Sequence, residues 1–244
     1  TGPAARSLYA PYAAVVAREI SEHNALYRRA GLFDEARVSM AGVVDTIYLG
    51  GGTPSLLDPK DLAQIVDAVR ASFVHQLTEV TLEADPETIT PVKAEAWLAA
   101  GINRISMGVQ SFHDVELAAA GRMHRREDIF SAFQCLRAAG FANISMDLIA
   151  GLPHQTAANW QESLGELLRL RPEHVSVYLL EVDEGSRLGR EILAGGVRYG
   201  SASVPDDDAM AASYERACQQ LGAAGYEHYE ISNWALPGLR SQHN

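Results

Sequence analysis

A short pattern that occurs three times constrains the fold of this chain more than any other feature of its sequence. In each copy a helix-like segment ends in Ala-Ala-Gly, an apolar residue follows, and a strand-like segment comes next. The copies are Leu98–Asn103, Arg137–Ala142 and Gly222–Glu227. A glycine there suits the left-handed residue that ends a helix, and the apolar residue after it packs back on the last turn. The pattern predicts one helix-to-strand unit, used repeatedly.

Strand-like and helix-like segments alternate along the whole chain. The predicted strands are Val43–Leu49, Glu79–Ala84, Arg104–Val109, Asn143–Ile149, His174–Leu180 and Tyr226–Ser232. Helix starts are marked by Asp58-Pro59 and Thr90-Pro91, which suit an N-cap followed by a first-turn proline, and by the acidic run Asp206–Asp208. Repeated strand–helix units predict parallel strands joined by right-handed crossovers.

Two α/β architectures fit such a chain, a barrel and an open doubly wound sheet. The loop Gly50–Thr53 after the first strand lacks the spacing of a dinucleotide-binding fingerprint, which favours the barrel. The 244 residues contain no low-complexity linker, and single α/β barrels often reach about 250 residues. We therefore predict one continuous α/β domain over residues 1–244.

The charge balance limits the class of partner. The chain has 20 Lys and Arg against 31 Asp and Glu, a net charge of −11, which argues against a nucleic acid partner. No apolar run approaches the ~20 residues of a membrane span. No secretory signal pattern is present, so we predict a cytoplasmic location. The two cysteines, Cys135 and Cys218, lie in helical patterns and are predicted to be unreactive packed thiols.

Polar side chains lie at the carboxyl-terminal ends of four predicted strands, where a barrel places its active site. They are Glu83, Gln110, Asp147 and Glu181. A structural ion pair with Arg104 or Arg122 explains any single carboxylate as well as a ligand does. Four in succession predict a polar ligand with amino, hydroxyl and carboxylate groups. The guanidinium of Arg122 suits a ligand carboxylate.

Three consecutive glycines, Gly50–Gly52, follow the first strand and precede Thr53-Pro54. A tight turn is the simplest interpretation, although a simple strand-to-helix turn needs fewer glycines. A phosphate cradle would continue into Gly-Lys-Ser or Gly-Lys-Thr, which is absent. Glycines also let a ligand approach the backbone with no Cβ in the way, which predicts one wall of a ligand site.

Four segments carry a specific combination of motifs: Tyr48–Ser55, Leu82–Pro86, Asn103–Phe112 and Met146–Thr156. Together they resemble the radical S-adenosylmethionine (SAM) enzymes of the oxygen-independent coproporphyrinogen III oxidase family, over most of the chain. Tyr229–Ala235 and the terminal His243-Asn244 resemble the HemW branch, regarded as haem chaperones. The resemblance implies a partial TIM-like (βα)6 radical SAM barrel with parallel strands and outer helices.

The resemblance also implies a SAM site made of two groups of residues. Gly51, Gly52 and Thr53 match the loop that holds the methionyl part of SAM. The other matching SAM contacts are Glu83, Gln110, Arg122 and Asp147. The resemblance assigns no role to Glu181, and it implies no catalytic or metal-ligating side chain in this chain.

One family feature is missing. Family members hold a [4Fe-4S] cluster through a CxxxCxxC motif, which this sequence does not contain. Cys135 and Cys218 cannot replace it, and a cluster needs thiolate ligands. We therefore expect the chain to lack the cluster-binding segment and the carboxyl-terminal domain of its full-length parent. Alone, it is predicted to be inactive in radical chemistry.

Three histidines are candidate ligands: His154, His228 and His243. In the HemW branch His243-Asn244 begins an HNxxYW motif linked to haem handling, so His243 is either a haem contact or a solvated histidine near the chain end. His154 and His228 are expected to be surface or loop residues.

Three functions follow from the resemblance. The first is a HemW-like chaperone that binds SAM and haem or porphyrin and transfers haem to client proteins. The second is a coproporphyrinogen III dehydrogenase of porphyrin biosynthesis, against which the Tyr229–Asn233 segment argues. The third is a cluster-free barrel that binds a tetrapyrrole.

Overall fold

The computed structural model describes residues 7–30, 42–182, 185, 187–196 and 198–243. Within them the strands are β1 Val44–Leu49, β2 His75–Ala84, β3 Arg104–Gln110, β4 Ile144–Ala150, β5 His174–Leu179, β6 Glu227–Glu230 and β7 Asn233–Ala235. The helices are α1 Tyr9–Arg29, α2 Pro59–Ser72, α3 Pro91–Ala99, α4 Asp114–Ala119, α5 Arg126–Ala139, α6 Ala157–Leu170, α7 Arg187–Leu193 and α8 Asp207–Ala223. None of these helices has both the length and the apolar composition of a membrane span.

The strands form a single sheet in the order β1-β2-β3-β4-β5-β7-β6. The four neighbouring pairs from β1 to β5 are parallel, whereas β7 runs antiparallel to both β5 and β6. The sheet curls into a half-barrel dominated by parallel strands. This confirms the predicted α/β fold, a partial barrel dominated by parallel strands.

The predicted sixth strand, Tyr226–Ser232, is wrong in extent and in pairing. The structure divides this region into β6 and β7, and β7 is the strand that pairs with β5. The chain reverses at Ile231-Ser232, where the Ser232 N–H donates to Glu230 Oε2 at 3.1 Å. The sequence alternation continues through this turn, which is why the pattern hides the reversal.

The repeated Ala-Ala-Gly segments end helices, as predicted. Gly101, Gly140 and Gly225 have φ of 87°, 106° and 89°. The next residue in each copy donates its N–H to the helix carbonyl five positions earlier: Ile102 to Trp97, Phe141 to Leu136 and Tyr226 to Leu221, each at 3.0 Å. All three donor residues are buried, so the apolar residue closes the helix end onto the core.

The predicted helix starts are also confirmed. The Asp58 side chain accepts from the Lys60 N–H at 3.1 Å, and the Thr90 side chain accepts from the Lys93 N–H at 3.3 Å. Asp206 caps α8 by accepting from the Ala209 N–H at 2.8 Å. These bonds satisfy N–H groups that have no partner within the first turn of a helix.

The two faces of the sheet differ in chemistry because side chains alternate along each strand. One face packs on the helices and supplies the apolar core, including Leu82, Met107 and Leu148. The other face carries polar side chains on each of β2 to β5; they are Glu79, Thr81, Glu83, Arg104, Ser106, Ser145, Asp147, His174 and Ser176. Strands of parallel sheets are normally apolar on both faces, so this inner face is where a polar site is to be sought.

Candidate functional site

An open cavity of about 260 Å³ lies on the inner face at the carboxyl ends of the parallel strands. Six of the seven residues predicted to contact SAM line it: Gly52, Thr53, Glu83, Gln110, Arg122 and Asp147. The seventh, Gly51, lies beside them and donates its N–H to Glu83 Oε2 at 2.9 Å. A second cavity of about 570 Å³, mainly apolar, adjoins the first at Thr53 and Pro54. The structure therefore brings all seven residues to one place.

The glycines of the loop after β1 serve two different needs. Gly51 and Gly52 have φ of 85° and 65°, values that suit glycine far better than other residues. Gly50 has an ordinary φ, but a Cβ there would lie 2.7 Å from the Tyr48 ring and 3.0 Å from Glu83 Oε1. The loop is thus required both by its backbone path and by the close approach of Glu83.

We expect Gly52→Ala to lower the free energy of unfolding by about 1–2 kcal/mol, the penalty of a left-handed L-residue. A Cβ at Gly52 would meet no atom within 4 Å, so the backbone conformation alone sets the effect. Gly165→Ala, inside α6, is the matched control and should raise stability by about 0.5–1 kcal/mol. Urea denaturation measures both, and a neutral Gly52→Ala would contradict the backbone argument.

Glu83 is held by neutral donors. Its Oε1 accepts from the Tyr48 hydroxyl at 2.9 Å and its Oε2 from the Gly51 N–H. Burial, followed by the hydrogen bond to Glu83, raises the pKa of the Tyr48 phenol, so Tyr48 remains a donor at neutral pH. Among the described residues, Glu83 forms no ion pair, and its charge is available to a cationic ligand group.

Asp147 lines the same cavity and is also held by hydroxyl groups. Ser106 Oγ donates to it at 3.2 Å and Ser145 Oγ at 3.4 Å. Burial raises the pKa of Asp147, and hydrogen bonds from Ser176 and Ser106 and the charge of Arg104 oppose that rise. No described cation lies within ion-pair distance of Asp147. The ion-pair explanation therefore fails for both Glu83 and Asp147.

Arg122 is paired within the site. One guanidinium nitrogen forms a very close contact with Asp85 Oδ1 and also donates to the Gly108 carbonyl at 3.3 Å. Thr53 Oγ1 donates to the other oxygen of Asp85 at 3.2 Å. Asp85 thus ties Arg122 to the glycine loop.

Asp85 and Tyr48 belong to the site but were not predicted from the sequence. Asp85 directly follows β2, and Tyr48 lies on the same face of β1 as Thr46 by alternation. Their positions relative to these strands were the sequence signal that could have identified them as site residues. Gly108 was missed too: a Cβ there would lie 3.0 Å from Gln110 Nε2 and 3.1 Å from an Arg122 nitrogen.

Other predicted residues lie elsewhere. Glu181 is exposed beyond β5 and does not line the cavity. His154 and His228 are exposed, as expected. His243 is exposed but not simply solvated: its ring stacks on Tyr48 at 5.0 Å and lies 3.1 Å from Thr46 Oγ1. Asn244 lies outside the described residues.

The residues of this chain do not fit an iron–sulfur cluster. Such clusters are usually held by four cysteine thiolates, and the chain has two cysteines, on the separate helices α5 and α8. Within the part of the chain that the structure describes, no group of three or more His, Cys, Asp or Glu side chains is arranged to hold a metal ion.

The sequence profile of the Radical SAM superfamily matches residues 30–167. The haem chaperone HemW of Bacillus subtilis is 36% identical over 201 residues, 82% of this chain and 52% of that protein. HemW of Synechocystis is 39% identical over 202 residues, 82% of this chain and 48% of that protein. The bovine mitochondrial radical S-adenosyl methionine domain-containing protein 1 is 36% identical over 85% of this chain and 46% of its own length. This chain spans about half the length of these curated relatives.

Among solved structures, coproporphyrinogen III oxidase (HemN) of Escherichia coli superimposes with a TM-score of 0.76 and 25% identity. The alignment covers 95% of this chain and 50% of the oxidase. The archaeal Elp3 of Methanocaldococcus infernus shares the fold at a TM-score of 0.56 and 18% identity, over 76% of this chain and 57% of that chain.

Proposed function

This chain belongs to the radical SAM superfamily, and from that premise we propose that its polar cavity binds SAM as part of a HemW-like haem chaperone. The observation that carries the proposal is the convergence of seven positions from five chain segments around one cavity, which six of them line and to which Gly51 is linked through Glu83. Haem or porphyrin binding and transfer to client proteins are proposed from the similarity to HemW.

Two charged side chains of the cavity match the two charged groups of the methionyl part of SAM. Glu83 offers an anionic carboxylate to the ammonium group of SAM. Arg122, held by Asp85 and Gly108 through one nitrogen, offers its remaining guanidinium N–H groups to the SAM carboxylate. The Gly51-Gly52 backbone leaves room for the methionyl chain, and Gln110 and Asp147 offer hydrogen bonds to the rest of the ligand. The cavity of about 260 Å³ is just below the ~300–1,000 Å³ of typical small-molecule pockets, and the adjoining cavity extends it.

Isothermal calorimetry of the chain against SAM tests the site. We expect Glu83→Gln to weaken SAM binding about tenfold or more, because a charge-assisted hydrogen bond contributes about 1.5–3 kcal/mol. The matched control is Glu181→Gln, which removes a carboxylate near the end of β5 that does not line the cavity, and it should leave the affinity unchanged.

Two outcomes would contradict this proposal. Equal affinity in the Glu83→Gln and Glu181→Gln variants would remove Glu83 from the site. Haem uptake in an absorbance titration with no SAM binding by calorimetry would instead favour the cluster-free tetrapyrrole-binding barrel.

SAM contributes a carbon–sulfur bond that cleaves when an iron–sulfur cluster supplies an electron, and this chain lacks the thiolates to hold one. We therefore expect no 5′-deoxyadenosine when the 244-residue polypeptide is treated with iron, sulfide, dithionite and SAM. A radical SAM enzyme with an intact CxxxCxxC motif is the positive control. Product above the level of a protein-free blank would overturn this expectation.

The structural similarity to coproporphyrinogen III oxidase (HemN) favours a second candidate, a coproporphyrinogen III dehydrogenase. That enzyme oxidatively decarboxylates two propionates of its substrate. An assay of the full-length parent for protoporphyrinogen decides between the two, since a chaperone forms none.

A further inference from the structure

Gln110 lines the cavity from a strained backbone position. Its φ is 65°, and the Ser111 N–H donates to the Val109 carbonyl at 2.8 Å, so the three residues form a γ-turn with positive φ. Turns of this kind are rare and strained, and such strain persists only where the surroundings hold it in place.

Two buried groups hold this turn, one on each side of Gln110. On one side His124 Nε2 lies 3.1 Å from the Val109 carbonyl oxygen. On the other side Ser111 Oγ donates to Glu116 Oε2 at 2.6 Å and accepts from the His113 N–H at 3.0 Å. Ser111, Glu116 and His124 are 0%, 0% and 2% exposed, so water cannot replace these contacts.

The hydrogen bond to Val109 fixes the tautomer of His124. A carbonyl oxygen only accepts, so Nε2 must carry a proton. Nδ1 lies 3.4 Å from Glu87 Oε2 without the geometry of a hydrogen bond. Burial lowers the pKa of His124, and the charges of Arg122, Glu87 and Asp85 also act on it. The Nε2 donor is present in both the neutral and the protonated ring, so the contact with Val109 does not depend on pH.

We propose that His124 is a positioning residue that holds the Val109 carbonyl, and through it the left-handed backbone of Gln110 that directs the Gln110 amide into the cavity. The inference rests on the proposed function in one respect, which is that SAM is the ligand that Gln110 contacts. The backbone restraint itself is independent of any ligand.

NMR of the full chain tests the restraint without a ligand. In His124→Leu, which lacks the donor, the coupling constant and carbon shifts of Gln110 should change from the left-handed to an extended pattern. His124→Gln places an amide N–H near the former Nε2 and should keep the left-handed pattern. The control is replacement of an exposed histidine outside this network, His75→Gln. The wild-type His75 Nδ1 lies 3.1 Å from the Phe73 carbonyl oxygen, and the change should leave Gln110 unaltered.

Ring nitrogen shifts of the wild-type protein should show the Nε2–H tautomer of His124. An Nδ1–H tautomer, or a Gln110 pattern that stays left-handed in His124→Leu, would overturn the proposal. If His124→Leu fails to fold, a Gln110 pattern in His124→Gln that differs from wild type would overturn it as well.

Calorimetry with SAM then separates this inference from the proposed function. His124→Leu should bind SAM about tenfold more weakly, as expected for one misplaced hydrogen bond, and His124→Gln should restore the affinity. Unchanged SAM affinity with a relaxed Gln110 would remove the role in ligand positioning. Absence of SAM binding by the wild type would refute the proposed function and leave the backbone restraint to be judged by NMR.

Discussion

Replacing Arg104 with methionine should lower the free energy of unfolding by about 3–5 kcal/mol at neutral pH, the usual result of leaving a buried charge without its partner. Arg104 and Glu79 are 2% and 3% exposed. Arg104 Nε lies 4.0 Å from Glu79 Oε2, and no other described cation lies within ion-pair distance of Glu79. Because methionine retains most of the packing volume of arginine, the loss of stability measures the effect of removing the charge.

The double variant Arg104→Met with Glu79→Gln separates charge from packing. It removes both charges, and we expect it to be clearly more stable than Arg104→Met alone. Arg240→Met is the exposed control: its ion pair with Glu227, at 3.1 Å, should change stability by no more than about 1 kcal/mol. Guanidinium denaturation measures all three. If Arg104→Met were as stable as the double variant, the buried carboxylate of Glu79 would not depend on the charge of Arg104.

Glu79 also accepts hydrogen bonds from the last described residues of the chain, so a change at Arg104 should affect that segment as well. Ser241 Oγ donates to Glu79 Oε1 at 3.2 Å, and the Gln242 N–H donates to the same carboxylate. Segment 241–243 thus covers the inner face below the cavity. We expect limited proteolysis of Arg104→Met to begin near this segment.

The parallel half-barrel could be predicted because local signals and tertiary structure agree there. The glycines that end helices, such as Gly140, and the N-cap Asp58 act within a few residues, so the sequence displays them directly. The reversal at Ile231-Ser232 could not be predicted, because it depends on partners distant in sequence. The hydroxyl of Tyr214, for example, donates to the Ile231 carbonyl from α8.

In the candidate site, too, residues marked by a local sequence signal could be predicted, and contacts between residues distant in sequence could not. Glu83 and Asp147 could be found because a carboxylate in an apolar strand is unusual in the sequence itself. Their partners could not be found in the same way: Tyr48 and Ser106 are ordinary strand residues until the sheet brings them alongside. The ion pair of Arg122 with Asp85 and the contact of His124 with Val109 likewise exist only after the loops pack.

The second large effect expected is a loss of stability in acid that comes from one histidine. His174 is 1% exposed, with Nδ1 2.8 Å from Ser145 Oγ and Nε2 2.7 Å from the Tyr229 hydroxyl. Burial, followed by the charge of Arg104, lowers the pKa of His174 to about 3. In the unfolded chain the pKa is about 6.5. The unfolded state therefore binds more protons between these values, and stability falls as the pH falls.

The size of this effect follows from proton linkage. The stabilisation that comes from the lowered pKa of His174 is fully present above about pH 6.5. Below that pH it is lost by up to about 1.4 kcal/mol per pH unit, on the order of 5 kcal/mol in total. The lowered pKa of His124 acts in the same direction, and the raised pKa of Asp147 acts in the opposite one. A comparison of variants is therefore needed to isolate His174.

Denaturation of the wild type and of His174→Gln between pH 7 and pH 5 provides that comparison. His174→Gln should be less stable than the wild type at pH 7, because it disturbs two buried hydrogen bonds, and the difference should shrink towards pH 5, because glutamine does not titrate. Parallel slopes for the wild type and His174→Gln would mean that His174 is protonated equally in the folded and unfolded states, contrary to its burial between Ser145 and Tyr229.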